Sequence, residues 1–308
     1  MLLIPMRFLI LSRNPSLYST QSILRACYRR GHQARVVDHV LCDLMVDKGE
    51  LSVFYQGVKI EGYDAIIPRI GSSVTRYGTN VIRQFQLQGV FTATRAEAIL
   101  KVRNKWRCYQ LLAAEGIQIP KSLLPNFAQL DMDLLKDHFD TPLVVKLQES
   151  THGLGVILSE SYHNAASTIE AFSRLKESAI IQTYIKESKG VDIRVLVVDG
   201  QVVASMRREA REGEFRSNLH RGATARIEPL SEEEIFLSRK VCKIMGLDIA
   251  GVDILRSKKG PLILEINSSP GLEGIETVSG KDVAGDIIKY VERRLGRRKK
   301  EKKSSIRI

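Results

Sequence analysis

The chain has 308 residues, 44% of them hydrophobic and 27% charged, with a formal net charge of +12 and a pI near 9.6. That length buries a sizeable core in two or three domains, and the composition is that of an ordinary soluble protein. The charge first suggests a nucleic-acid partner, but residues 293–308 hold nine Lys or Arg against one Glu and so carry +8 of it, leaving the body at +4.

The basic run RRLGRRKKEKKSSIRI reads as a solvated, disordered tail, with at most weak electrostatic contact to RNA, the ribosome or an acidic surface. No apolar run is long enough to span a bilayer, so no membrane partner is expected. The opening MLLIPMRFLILSRNP is not expected to be a signal peptide, because Pro5 and Arg7 interrupt it and no small-residue cleavage site follows. Residues 6–11 read instead as a first strand, with Met6 an alternative start. Cys27, Cys42, Cys108 and Cys242 lack metal-like spacing and fit buried thiols in a reducing cytoplasm.

In chain order, MRFLILSRNPSLYSTQSILRACYRRGHQARVVD reads strand, polar loop, amphipathic helix, Gly31 stop, strand, which is a βαβ unit. YDAIIPRIG (63–71) is another buried strand, and the helical stretches to about residue 100 complete an open α/β domain. No GxGxxG follows the first strand, so a dinucleotide site is not expected. Ligands of such sheets favour the carboxyl ends of strands, where Ser12, Arg13 and Arg69 sit; a plain surface loop is the equal alternative. KVRNKWRCYQLLAAEG (101–116) is a basic helix, and PLVVKLQESTHGLGVIL (142–158) reads strand, glycine turn, strand. AIIQTYIKES (179–188) is a strand with a polar exit. VDIRVLVVDGQVVASMRREA (191–210) is a hairpin on Asp199-Gly200. The helix from Ser231 opens with a capping box completed by Glu234. LDIAGVDILRSKKGPLILEIN is a hairpin, and a helix near 281–295 closes the body.

Three features carry chemistry. In the last hairpin a turn near Lys259 sets Asp253 opposite Glu265, on the face shared with Asn267. Two carboxylates and an amide oxygen among Ile and Val ask for a cation, and all-oxygen ligands favour Mg²⁺ or Mn²⁺; the competing reading pairs these acids with nearby Arg side chains. Lys146 projects from a buried strand and wants an anion, although snorkelling would also explain it. HGLGV (152–156) then offers Gly153 and Gly155, whose backbone amides suit phosphate oxygens, or merely a hairpin corner. Neither GxxxxGK[ST] nor HRD is present. FRSNLHRG (215–222) gathers Arg216, Asn218, His220 and Arg221, donors suited to an oxyanion; His220 reads as structural.

The stretches IPRIGSSVTRYGTNVIRQF, RNKWRCYQLLAAEGI, LVVKLQESTHGLGVIL, YIKESKGVDIRVLVV, EGEFRSNLHRGA, AGVDILRSKKGPLILEINSSPGLEGIE and GKDVAG resemble, in order and spacing, the RimK family of glutamate ligases in the ATP-grasp superfamily. The resemblance runs from about residue 6 to 292. It implies an α/β N-terminal pre-ATP-grasp domain (1–100), an α+β ATP-grasp domain of two subdomains (101–292), and the basic tail (293–308). It also implies roles for single residues. Lys146, the adjoining glycine turn and Lys105 would contact the ATP phosphates. Thr183 and Tyr184 would clasp adenine, while Asp192 and Arg216, Ser217 and Asn218 fall at further nucleotide-contacting positions. Asp253, Glu265 and Asn267 would hold two Mg²⁺ or Mn²⁺ ions, with Glu265 bridging.

The implied reaction adds L-glutamate to the C-terminal tail of the sixth protein of the small ribosomal subunit through an acyl phosphate, in a cytoplasmic homo-oligomer, a tetramer by resemblance. Arg216 or Arg221 would steady the acyl phosphate. A rim of Arg13, Arg69, Arg76, Arg194, Arg207 and Arg221 is expected to face the cleft and draw acidic substrates. The alternatives are a related ligase for a small molecule or amino-group carrier, and a non-catalytic RNA-binding module. The latter leaves the buried acidic trio unexplained.

Overall fold

A computed structural model describes residues 5–126, 130–150 and 153–305, the last seven as backbone alone. The apolar run RFLIL is β1 (Arg7–Leu11), followed by α1 (Tyr18–Arg29) and β2 (Gln33–Val37). Next comes an antiparallel meander that the sequence reading did not anticipate: β3 (Cys42–Asp47), β4 (Glu50–Tyr55) and β5 (Val58–Lys59). The chain returns through β6 (Ala65–Pro68), α2 (Thr75–Leu87), β7 (Phe91–Thr92) and α3 (Ala96–Arg103). The main sheet of this domain has the order β2-β1-β6-β7, all parallel. Leu11 and Pro68 end their strands in register, so Ser12 and Arg69 leave the sheet together at its carboxyl edge.

The second part opens with α4 (Lys105–Ala114), whose N-cap Asn104 accepts from the Arg107 amide. It continues with β8 (Ser122–Leu123), α5 (Met132–His138), β9 (Leu143–Leu147), β10 (Val156–Ser159), α6 (Tyr162–Arg174) and β11 (Ala179–Thr183). These strands form an antiparallel sheet of order β10-β9-β11-β8 over a small core of its own, around Leu135, Leu143, Val145 and Ile181. Then follow β12 (Val191–Val198), β13 (Gln201–Glu209), β14 (Thr224–Ile227), α7 (Glu232–Met245), β15 (Ile249–Ser257) and β16 (Gly260–Asn267). Their sheet has the order β14-β13-β12-β15-β16. Asp199 and Gly200 both take positive φ (51° and 69°), the twist that a two-residue hairpin turn needs. The capping box on Ser231 and Glu234 forms as expected. Among the described residues no helix is long and apolar enough to cross a membrane.

The chain closes with α8 (Glu273–Ser279) and α9 (Val283–Ser305). Tyr290, Ile287 and Val291 pack with Phe8, Ile10 and Ile23 of the first domain and with Leu196 and Met206 of the third sheet, so one core is built from both ends of the chain. The expected disordered tail is corrected by this helix. It runs unbroken from 283 to 305, Leu295 is buried, Arg293 donates to Asp199 at 3.0 Å, and Arg298 lies 5.8 Å over the Phe91 ring. Lys, Arg and Glu are good helix formers, and a run of charge says nothing against a helix once one side finds a surface. Residues 306–308 and the first four lie outside the described residues.

Glu292 anchors α9. It accepts both fork nitrogens of Arg30 at 2.7 Å and faces His32 Nε2 at 2.7 Å. Burial alone would raise its pKa, but hydrogen bonds from Arg30 and His32 outweigh burial and hold it below the ordinary value. Its contribution to stability is therefore present at neutral pH and is lost as the pH falls through that lowered value. Glu292→Ala is expected to cost about 2–4 kcal/mol, between an exposed and a fully buried pair. Urea unfolding at pH 7 and near pH 4 checks this, and the loss should shrink at the lower pH.

Candidate active site

Between the second and third sheets lies a cleft whose floor is set by strand alternation. Lys146 on β9 lies between Val156 of β10 and Ile180 of β11. It is only 5% exposed. Its ammonium donates to Tyr109 Oη at 2.7 Å and to Gln182 Oε1 at 2.7 Å. Tyr109 Oη in turn donates to the Leu264 carbonyl at 3.0 Å, tying the two sheets together behind the lysine. Lys105, the first residue of α4 and 6% exposed, donates to the Ser150 carbonyl at 2.8 Å and to its hydroxyl at 3.3 Å. Neither lysine has a carboxylate partner among the described residues. Burial first, and then the Lys105 charge, lowers Lys146 to about 7. Two buried ammonium groups held only by neutral oxygens form a site that lacks an anion.

The opposite wall is made of acids, and they are bracketed by arginines. Asp253 of β15, 3% exposed, faces Arg194 of β12 in register and receives its fork, with Nη2 to Oδ2 at 2.7 Å. Arg208 of β13 forks onto Asp192 at 2.7 and 2.6 Å and reaches Asp253 Oδ2 at 3.1 Å. Ser217 donates to Asp192 at 2.6 Å. Burial would raise the pKa of Asp253, but the two guanidinium charges outweigh it and hold it below the ordinary range. The arginine pairing weighed against a cation is therefore present. Glu265 stands opposite Asp253 on β16 and lines the cleft, with no arginine paired to it among the described residues.

A divalent ion would find two carboxylates on adjacent strands, both facing the cleft, and, among the described residues that line it, no histidine or thiol. No cluster of three His, Cys, Asp or Glu exists among the described residues. The protein would thus supply part of a coordination shell and leave the rest to substrate oxygens and water, as Mg²⁺ prefers. Asp253 keeps lone pairs beyond those its arginines use, so the residues fit such an ion.

The glycine turn and the basic loop meet over this cleft. Gly153 and Gly155 both take positive φ (69° and 62°). A Cβ at Gly153 would stand 2.6 Å from Asn218 Oδ1, and one at Gly155 would stand 2.4 Å from Leu147 Cδ1. Arg216 Nη1 donates to the carbonyls of Gly153 (3.2 Å) and Val156 (3.3 Å), and Arg221 Nη2 donates to Gly153 at 3.3 Å. Glu214 holds the other edge of Arg216 at 2.9 and 2.7 Å, and the Arg216 hydrogen bonds depress Glu214 to about 2. At the strand exit, Thr183 and Tyr184 line the cleft with Ile185, Leu255 and Leu264. Tyr184 stands edge-on to Phe215 at 6.5 Å.

The cleft therefore gathers Lys105, Lys146, Thr183, Tyr184, Asp192, Arg216, Ser217, Asn218, Asp253 and Glu265. Asn267 and Arg221 are not in its lining. Asn267 ends β16 opposite Gly251, one alternation beyond Glu265, and Arg221 braces the glycine turn from outside with its Nε buried and unpartnered. His152 lies outside the described residues. The expected arginine rim is corrected too: of the arginines among the described residues, only Arg208 and Arg216 line the cleft. Arg194 is spent on Asp253, Arg207 pairs with Glu209, and Arg76 is exposed on α2. Arg208, Tyr109 and Gln182 are the site residues that sequence reasoning missed. A signal existed for Arg208, which shares its face of β13 with buried Ala204 and Met206.

A polyphosphate beside Lys146 would raise its pKa again, so binding at pH 8 should draw a proton onto the lysine. Calorimetry in buffers of different ionisation enthalpy should show proton uptake for the wild type and none for Lys146→Met. A buffer-independent enthalpy in the wild type would remove Lys146 from the phosphate site.

Comparison with known proteins agrees with this geometry. Residues 6–99 match the RimK PreATP-grasp domain and residues 102–291 the RimK-like ATP-grasp domain. A probable alpha-L-glutamate ligase of Syntrophotalea carbinolica is 49% identical over 288 residues, covering 94% of this chain and 96% of its own. One from a Marinomonas species is 50% identical over 288 residues with the same coverage. Among solved structures, the ATP-grasp ligase PsnB complexed with minimal precursor, Mg and ADP has a TM-score of 0.71 at 19% identity, covering 94% of this chain and 98% of that one. The D-alanine–D-alanine ligase of Bacillus anthracis has a TM-score of 0.68 at 16% identity, covering 96% and 99%. At those identities the structures speak for the fold, while the domain matches and the relatives near half identity speak for the lineage. With the cleft and both domains accounted for, the chain belongs to the RimK family of ATP-grasp enzymes and is a carboxylate–amine ligase.

Proposed function

We propose that this ligase uses ATP to join the amino group of L-glutamate to the carboxyl terminus of a protein of the small ribosomal subunit. The observation that carries the reading is the pair of buried lysines without acids, Lys105 and Lys146, facing the Asp253–Glu265 pair across one cleft. Such an arrangement suits a polyphosphate chelated to a divalent ion. Glutamate is supported by the names of the relatives. The acceptor is supported by the family resemblance, and a fold neighbour complexed with a precursor peptide is consistent with a polypeptide end entering such a cleft.

In this reading an acceptor carboxylate oxygen attacks the γ-phosphorus of ATP and ADP leaves. The amine of glutamate then attacks the acyl carbon, phosphate leaves, and the amine gives up a proton. Lys146 and Lys105 offset phosphate charge, and the apolar pocket at Tyr184, Ile185, Leu255 and Leu264 takes the base. Asp253 and Glu265, with the Asn267 amide oxygen, would hold two divalent ions, which when bound neutralise charge on the transferred group. Arg216, fixed by Glu214, steadies the acyl phosphate and the oxyanion that follows. Arg221 and Arg216 together hold the Gly153 carbonyl and so keep the turn down over an intermediate that water would destroy.

Glu265→Gln should abolish ATP-dependent turnover while the protein stays folded, since a neutral amide is easier to bury than a carboxylate. Wild-type-like ADP formation by a folded Glu265→Gln protein would sink the ion-binding role. Lys146→Met keeps the apolar stem and should weaken nucleotide binding by about 2–3 kcal/mol, the range of a lost charge-assisted contact; unchanged affinity by calorimetry would leave Lys146 a packing residue. The acceptor is tested by mass spectrometry after incubating the protein with ATP, Mg²⁺, glutamate and small ribosomal subunits. One ribosomal protein should gain whole glutamate increments. If only free amino acids or small carboxylates are extended, a small-molecule ligase is the right reading.

A further inference from the structure

The seam between the first domain and the end of β16 holds positive charge that the mechanism does not use. Arg69 leaves the carboxyl edge of the parallel sheet and donates Nη2 to the Pro270 carbonyl at 2.7 Å. Arg103, at the end of α3, donates Nη2 to the carbonyl of Ile70, the very next residue, at 2.9 Å, and its Nε is buried without a partner. No carboxylate pairs with either guanidinium among the described residues; Glu265 and Glu149 act on Arg103 only at a distance. Burial lowers Arg69 to about 10 and lowers Arg103 as well. The loop that supplies the Pro270 carbonyl begins with Ser268 and Ser269, and both hydroxyl oxygens are buried without a hydrogen-bond partner. That loop is fixed on its far side, where Ser19 accepts from the Leu272 amide at 2.9 Å. Gly251 leaves room for it, since a Cβ there would stand 2.9 Å from Pro270 and 3.3 Å from the Arg194 side chain.

Two guanidinium groups bound only to backbone carbonyls, and two orphaned hydroxyls on the loop between them and Asn267, make a set of donors without an acceptor. Such groups are costly to bury unless something completes them. A planar carboxylate matches a guanidinium fork and takes hydroxyl donors as well. Resting on the ligase reading above, we propose that Arg69 and Arg103 with Ser268 and Ser269 form a binding subsite for a carboxylate of an acidic substrate, entering from the first domain's side of the cleft. The phosphates then lie on one side of Glu265 and this carboxylate on the other. The carboxylate belongs either to free glutamate or to the acceptor's chain end.

The test varies ATP, glutamate and an acceptor peptide in turn. The Ser268→Ala/Ser269→Ala double variant should keep its melting temperature, because neither hydroxyl bonds to the protein. It should also raise the KM of one carboxylate substrate about tenfold, the effect of one lost hydrogen bond to a charged group, and leave the KM for ATP unchanged. Arg69→Gln, which removes the charge, should raise the same KM further, and Arg69→Lys should recover part of it. The substrate whose KM moves identifies the carboxylate. Folded variants with both carboxylate KM values unchanged, or with the ATP value raised equally, overturn the subsite while leaving the ligase intact. If wild-type protein turns over neither substrate, the ligase reading fails separately, and the subsite is then judged by thermal shift. Sodium glutamate or glutamyl-glutamate should raise the wild-type melting temperature and fail to raise that of Arg69→Gln; no wild-type shift, or an equal one, overturns it.

Discussion

Asp253 cannot sit among Val252 and Ile254 as a bare carboxylate, and much of the site follows from how that problem is solved. Its cross-strand neighbour Arg194 takes one edge, and Arg208 from the strand beyond takes another while forking onto Asp192. Two acids and two guanidinium groups thus alternate across β12, β13 and β15 with no net charge. The lattice fixes both carboxylates against the cleft without consuming Glu265, and it holds Ser217, hence the whole 214–221 loop, by way of Asp192. Across the cleft the sign is unbalanced: among the described residues Lys105, at the start of α4, and Lys146, on β9, have only neutral oxygens. The ligand that makes up the difference has to bring negative charge.

Much of this was legible in the sequence because strand alternation is rigid. A turn near Lys259 in an apolar hairpin points to Asp253 against Glu265; the hairpin closes at Ser257 and Gly260, and a register shift between Asp253 and Ile254 brings that pairing about. Lys146, the two glycines and the exit at Tyr184 were equally readable, since each breaks a local pattern that folding alone would keep. What could not be read is pairing between strands distant in sequence. Alternation in VVASMRRE sets Arg208 on the buried face with Ala204 and Met206, but that it meets Asp192 depends on β13 lying beside β12 rather than on composition. Asn267 was grouped with Glu265 from its spacing; it ends β16 opposite Gly251, beyond the residues that line the cleft.

The meander at 42–59 escaped notice because its strands alternate weakly, with Asp43, Asp47 and Glu50 breaking the apolar rhythm. The closing helix was expected near 281–295, and only its continuation through the basic run was misjudged, for a different reason. Sixteen residues with nine positive charges look solvated when taken alone, but Leu295 and the Phe91 ring give one face something to lie on. Charge density describes a segment's average, and a helix is decided by one stripe of it.

The shared core has a mechanical consequence. With α8 and α9 packed on both the first domain and the third sheet, those two bodies are welded along a broad apolar seam. The sheet bearing Lys146 and the glycine turn has instead a small core of its own, and it meets the rest through a few polar contacts, such as Gln148 with Lys105, Lys146 with Tyr109, and Arg216 with Gly153. Polar contacts exchange readily with water, whereas an apolar seam does not. The molecule is thus built like a vice with one fixed jaw: the acids and the carboxylate donors stay in place, and the jaw free to travel is the one that carries the lysine.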